Sequence, residues 1–332
     1  MKRRSVLGLV MGCAALSVLG LASHPAYAQG KYPERPIRLV IPFAPCGEND
    51  IIGRLWAQKV GAVLGGSIIV DNRGGAGGSI GAVEVARAKP DGYTLLVGTS
   101  GSQIINPVAA KHPAYDPLKD FAAVTLISVS SPSIALSPAV PAKTLQELIA
   151  LIKASPGKFS YGSAGAGTFV HLTGELFRMK AGNLDLQHVP YKGGGAAVQD
   201  LIAGHIPMAV VIPSSSVLAH HRAGRLRIIA VFQDHRAKAA PDIPTAIESG
   251  IPDMRAQLFS AIFAPAGTPQ LIIDALYQAT AKAMAEGGLR KDLETAGAEV
   301  AVDSTPEKTT RFMREETAMW TPIIRASGFR PD

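Results

Sequence analysis

The stretch RLVIPFAPCGEND, residues 38–50, decides the fold. It opens with a short apolar run rich in β-branched residues, and Pro42, Pro45 and Gly47 break that run before a helical pattern begins at Ile51. Asn49 and Asp50 stand where N-cap residues belong, and Ile51, Ile52, Leu55, Trp56, Val60, Val63 and Leu64 recur at helical spacing until Gly65-Gly66. The reading is strand, turn, helix. A turn of this kind aims unpaired backbone N–H groups beyond the carboxyl end of a strand, where open α/β sheets bind ligands. An ordinary surface connection carries the same local signature.

The pattern repeats outward along the chain. A strand over 68–71 leads into the loop NRGGAGGS (72–79) and a helix over 80–88, and Pro90-Asp91-Gly92 turns the chain into a strand over 93–98 that ends in Thr99-Ser100-Gly101. Strands alternating with helices predict a parallel sheet. After an irregular, proline-rich segment, apolar runs over 121–130 and 133–136 flank Ser131-Pro132, where we place the crossover to a second domain. Thr144 and Glu147 form a capping box for a helix over 145–154. Three further cycles follow: strand 159–162 with helix 169–180, strand 186–189 with a helix ending at 203, and strand 208–212 with a helix after Ser214-Ser215-Ser216. A strand over 226–232 and a proline-rich connector lead back to a strand over 258–263 that can rejoin the first sheet. Helices over 269–285 and 288–296, a strand over 299–302 and a last helix opened by Thr305-Pro306 complete the chain. The expected class is α/β, with a discontinuous first domain (31–127 and 255–332) and a second domain (128–254).

The amino terminus stands apart from this plan. Lys2, Arg3 and Arg4 precede a largely apolar segment, and Ala26-Tyr27-Ala28 matches a small-x-small cleavage site, so residues 1–28 read as a cleavable secretory signal. Without them Lys plus Arg falls from 33 to 30 against 26 acids, a net charge of +4. The remaining bases are scattered without interleaved aromatics, which argues against a nucleic-acid surface. Cys13 leaves with the signal, and Cys46 alone forms no internal disulfide.

Catalytic patterns fail on spacing. Gly162-Ser163-Ala164-Gly165 lacks the preceding glycine of a nucleophile elbow, because Tyr161 stands there. Gly75-Ala76-Gly77 has Ile80 where a dinucleotide fingerprint needs glycine, and Gly157-Lys158 has Ile152 where a phosphate loop needs one. His220 and His221 are adjacent, fall on different faces of a helix and read as surface residues rather than metal ligands. No cofactor or metal is expected. What remains is a set of glycine, serine and threonine loops at strand ends, suited through backbone donors to an anion such as a carboxylate. About four hydrogen bonds to a charged group, at roughly 1.5–3 kcal/mol each, approach the ~8 kcal/mol of a micromolar ligand. His171, one turn into its helix, reads either as a cleft group or as a packing histidine. Lys192 reads either as a charge for the anion or as a solvated loop lysine.

These loops resemble those of the substrate-binding proteins of tripartite tricarboxylate transporters, the Bug or TctC family. The matching segments are YPERPIRLVIPFAP (32–45) with Asp50, DNRGGAGGSIGA (71–82), AKPDGYTLLVGTSG (88–101), YDPLKDF (115–121), KTLQELI (143–149), PGKFSYGSAGAGT (156–168), HLTGELF (171–177), HVPYKGG (188–194), DIPTAIESG (242–250) and APAGTP (264–269). The resemblance implies a periplasmic-binding-protein-like pair of doubly wound α/β domains joined by crossover segments. Such a monomer closes by hinge motion on a small carboxylate and delivers it to membrane subunits of the transporter; a membrane sensor is the alternative partner, and an enzyme on the same anion the alternative function. It further implies first-domain ligand contacts from Phe43, Ala44, Cys46, Gly47 and Asn49, from Gly75, Ala76, Gly77 and Gly78, and from Thr99, Ser100 and Ser102. Second-domain contacts would come from Ser163, Ala164, Gly165, Gly167, Thr168 and His171, and from Tyr191, Lys192 and Gly193. Two residues depart from the family pattern: Cys46 stands at a usual glycine, and Glu48 at a small residue or glycine. Residues 208–216 also lack an aspartate that many relatives place there for an amino group, which shifts the expected ligand from an amino acid toward a simple or aromatic carboxylate.

Overall fold

The computed structural model describes residues 32–331 except 46, 47, 287, 297 and 302. The leader segment, Cys46 and Gly47 therefore lie outside the described residues.

Strict alternation fixes the first strand. In β1 (Ile37–Ile41) the side chains of Ile37, Leu39 and Ile41 pack with Trp56 and Val60 of α1 (Glu48–Leu64), while Val40 joins the core on the other face. Each such buried aliphatic contributes roughly 1.5–3 kcal/mol, which holds the intervening turn between two firmly anchored elements. α1 begins at Glu48, earlier than the sequence pattern suggested, so Asn49 and Asp50 lie in its first turn rather than capping it. Acidic residues there complement the helix dipole. β2 (Ile68–Asn72), α2 (Ser79–Ala86), β3 (Thr94–Thr99), α3 (Asn106–Ala109) and β4 (Phe121–Ser130) follow.

The chain then passes through Ser131-Pro132 into β5 (Ser133–Leu136). The expected domain boundary at 127/128 falls inside β4. α4 (Leu145–Ala154), β6 (Phe159–Ser163), α5 (Phe169–Lys180), β7 (Leu186–Pro190), α6 (Gly194–Ala203), β8 (Met208–Val211), α7 (Ser215–Arg222) and β9 (Arg227–Val231) build around a second sheet. β10 (Leu258–Pro265) returns to the first sheet, followed by α8 (Gln270–Ala285), α9 (Gly288–Thr295), β11 (Glu299–Val300) and α10 (Pro306–Ala326).

The architecture is two α/β domains, each built on its own sheet. The strand orders are β11-β4-β10-β3-β1-β2 and β7-β6-β8-β5-β9. Neither sheet is wholly parallel, which corrects the expectation from strand–helix alternation. β1 runs parallel to β2 and β3, and β6 to β7 and β8, but β10 is antiparallel to β3 and β4, and β5 to β8 and β9. β5 and β10 are the strands that enter a sheet after crossing from the other one without a helix, so no right-handed crossover sets their direction, and the short edge strand β11 is also antiparallel to β4.

α10 joins the two halves. Thr305 caps it, its Oγ1 accepting from Lys308 N at 3.2 Å, with Pro306 at the first helical position. Thr309 Oγ1 accepts from Leu126 N at 3.0 Å where β4 slips register against β10, so the bulge leaves no orphan donor there. Trp320 is fully buried, its ring 4.9 Å from that of Phe169 on α5, and its Nε1 donates to Glu316 Oε2 at 3.0 Å. Burial pushes the Glu316 carboxyl up to about 7.

Candidate functional site

Three first-domain loops converge on Phe43. Residues Gly75, Ala76, Gly77 and Gly78 all hold positive φ, and Asn106 Nδ2 donates to the carbonyls of Ala76 (3.4 Å) and Gly77. A Cβ added at Gly78 (φ 97°) would lie 3.1 Å from Ser102 Cβ and 3.2 Å from Phe43 Cζ, so the backbone approaches its neighbours as only glycine permits. Thr99, Ser100 and Ser102 are buried and their hydroxyls are engaged. Ser102 Oγ accepts from Thr99 N (3.1 Å), and Ser100 Oγ accepts from Phe259 N (3.2 Å). Asn72 Nδ2 bridges Phe43 O (3.1 Å) and Asp50 Oδ1 (2.9 Å), while Asn49 Oδ1 accepts from Ser260 Oγ (2.9 Å). Ala44 is exposed. The side chains of this cluster chiefly hold one another.

The second-domain loops continue the β6–β7 ladder. Tyr191 N donates to Ser163 O and Gly193 N to Ala164 O, both at 3.1 Å. Thr168 caps α5, with Oγ1 accepting from His171 N (3.4 Å) and donating to Gly165 O (2.7 Å). His171 is buried: its Nδ1 accepts from Gly167 N at 3.0 Å, and its ring stacks on His188 at 3.9 Å between centroids. The packing reading of His171 is the one this geometry supports. Burial holds the His171 imidazole below its ordinary value, and burial plus the neighbouring ring push His188 down to about 4. Ser163 Oγ lies 2.7 Å from His188 Nε2, a nucleophile–base distance, yet Ser163 is 0% exposed and a reacting atom has no approach to it. Tyr191 turns its hydroxyl back to Asp200 (2.8 Å), and Lys192 is exposed.

A cavity of about 580 Å³ lies between the first turn of α1 and the carboxyl ends of the second sheet. Glu48, Ile51, Ile52, Ala296 and Ala298 line one side. The other side is formed by Ala164 and Val170, by Gly194, Gly195, Val198 and Gln199 of α6, by Val210, Val211 and Ile212, and by Ser214, Ser216, Val217 and His220 about α7. Among the described residues expected to touch ligand, Ala164 alone reaches this lining. Phe43, the 75–78 loop and the 99–102 loop form their own cluster, and the rest of the 163–168 and 191–193 loops stand behind or beside the wall.

The residues that sequence reasoning missed are of two kinds. Gly194 and Gly195 open α6, and a Cβ added at either would meet nothing within 4 Å, so their space belongs to the cavity and their N–H groups are helix N-terminal donors. The run of three glycines before a helix was the available signal. Glu48 and His220 are ionisable lining residues on facing elements. Glu48 Oε1 accepts from Ser130 Oγ at 3.2 Å, and although water reaches it from the cavity, the protein around it raises its carboxyl above the ordinary range. His220 is half-buried with an unpartnered Nδ1, whereas His221 Nδ1 accepts from Ile228 N at 3.2 Å on the other side of α7. The expectation that both are surface residues is thus corrected: both are half-buried, and α7 turns His220 toward the cavity.

Paired α/β domains with a cavity formed by helix N-termini and strand ends define a solute-binding class of fold. Residues 52–329 match the tripartite tricarboxylate transporter family receptor, TctC. The chain is 33% identical to protein BugT of Bordetella pertussis over 298 residues, covering 90% of each chain. Among solved structures it resembles MatC from Rhodopseudomonas palustris with bound malate (29% identity, TM-score 0.73, covering 88% of this chain and 100% of that one). It also resembles a second R. palustris protein with adipate (29% identity, TM-score 0.76, covering 91% and 100%). The chain belongs to the TctC family of periplasmic solute-binding receptors.

Proposed function

We propose that this protein is exported through its leader, captures a small organic carboxylate in the cavity between its domains, and delivers it as a monomer to the membrane subunits of a tripartite tricarboxylate transporter. The observation that carries this reading is the α6 terminus: two glycines whose absent side chains leave open space present helix N-terminal donors to a cavity whose described lining holds no Lys or Arg. Such a site takes one negative charge without a paired cation. The malate and adipate held by relatives are likewise small organic carboxylates, with two charges each. Residues 31–127 with 255–332 form one moving body in this reading and 128–254 the other, closing about the two crossings between sheets.

The test is linkage. A carboxylate panel is expected to raise the melting temperature and compact the protein in solution scattering, while uncharged analogues do neither. A broad panel with no shift and no compaction would remove the proposal. Native mass spectrometry of freshly purified protein identifies the natural anion by its mass.

A further inference from the structure

The cavity holds a second polar feature opposite the α6 glycines, and its sign is negative. Glu48 projects from the first turn of α1, where the helix terminus accommodates an anionic side chain. Among the described residues no cation is seen against it, and Ser130 Oγ is its hydrogen-bond partner. None of the described lining residues is Lys or Arg. A carboxylate bound at α6 therefore has its charge met, but a second carboxylate reaching toward α1 would meet Glu48 with nothing to neutralise the pair. His220 stands on the same lining, and its Nδ1 is buried without a protein partner. Between these polar points run the side chains of Ile52, Val211 and Ile212.

We infer that Glu48 is a specificity-determining residue that rejects dicarboxylates and accepts a hydrogen-bond donor, so that this protein takes a monocarboxylate with an apolar body and an amino or hydroxyl group at its far end. The inference rests on the carboxylate reading of the cavity. It sets this chain apart from relatives that hold dicarboxylates. It also restores a place for an amino group that the absence of an aspartate in residues 208–216 had removed, on the opposite wall.

Four probes of equal chain length isolate the far group: hexanoate, 6-hydroxyhexanoate, 6-aminohexanoate and adipate. Titration calorimetry on the full mature protein and on Glu48→Gln and Glu48→Ala, each first checked for an unchanged melting curve without ligand, reads the affinities. The unsubstituted protein is expected to bind the hydroxy and amino acids at least tenfold more tightly than adipate, with hexanoate between. Both variants are expected to lose that preference, adipate gaining at least tenfold. Adipate binding that matches or exceeds the others in the unsubstituted protein, or that is unmoved by either substitution, overturns the role of Glu48 and leaves the carboxylate reading standing. Failure of all four acids to bind any of the three proteins overturns the carboxylate reading, and this inference with it.

Discussion

The two glycine-rich walls look alike in composition and are used in opposite ways. In the first domain the glycines of the 75–78 loop are surrounded: Gly78 abuts Ser102 and Phe43, and the hydroxyls nearby bond to backbone. In the second domain Gly193, Gly194 and Gly195 face empty space. One wall is closed by its own atoms, and the other is left open for atoms from elsewhere. A glycine-rich loop at a strand end is therefore not in itself a ligand contact; what surrounds the missing Cβ distinguishes a packing solution from a binding surface.

Substitution at the closed wall gives the largest expected effect. Gly78→Ala forces an alanine to φ 97° against Phe43 and Ser102 and is expected to cost roughly 2–4 kcal/mol in denaturant unfolding. A loss below about 0.5 kcal/mol would break the contrast between the walls.

Acid should loosen the 163–168 loop more than the 75–78 loop, because a histidine pair backs the former and the Asn106 amide, which does not titrate, holds the latter. His188 is held at about 4 in the folded protein against an ordinary 6.5, so the unfolded chain takes up its proton first. The stabilisation is complete above pH 6.5 and is lost as pH falls toward 4, on the order of 3 kcal/mol at about 1.4 kcal/mol per pKa unit. His171 acts in the same direction, and their neighbour Glu175 pulls against both. Glu316 has the opposite sign: raised to about 7, its carboxyl favours the fold below pH 4.5 and ceases to do so as pH rises through 7. Hydrogen-exchange protection, taken relative to the intrinsic rate at each pH, is expected to fall first in residues 163–168 and not in 75–78 as pH drops from 7 to 4, and His188→Gln should flatten that response.

At the open wall, Gly194→Val is expected to leave stability within about 1 kcal/mol, since valine is the better helix former, while carboxylate affinity drops at least tenfold, about 1.4 kcal/mol. Retained affinity would count against the α6 terminus as the anion site. The smallest effect belongs to Tyr191→Phe. Its hydroxyl is committed to Asp200, so roughly 0.5–1.5 kcal/mol of stability and less than a twofold change in binding are expected by thermal melts and calorimetry.

Periodicity and punctuation made the element order legible. Residues 121–130, 133–136, 145–154 and 169–180 form the strands and helices their patterns implied, because alternation, capping boxes and proline are local signals. Strand direction was less so. β5 and β10 are antiparallel for a topological reason that no window of sequence contains. The cavity was legible only in outline: Glu48 stood out as a departure but not as a lining residue, and His220 could not be told from His221 without the helix's azimuth. Thr99, Ser100 and Ser102 had the chemistry of ligand donors, and whether a hydroxyl faces outward or bonds its own backbone depends on the packed loop rather than on residue type.

The place of β10 has a consequence in time. It lies between β3 and β4 at the centre of the first sheet, yet it is made only after every strand of the second sheet. Until residues 258–265 emerge, β3 and β4 each present an unpaired edge. The first domain to begin is thus the last to finish. The growing chain carries two open sheet edges from the completion of β4 at Ser130 until β10 begins at Leu258, an interval in which a holding chaperone has more to protect than in a fold whose domains close in order.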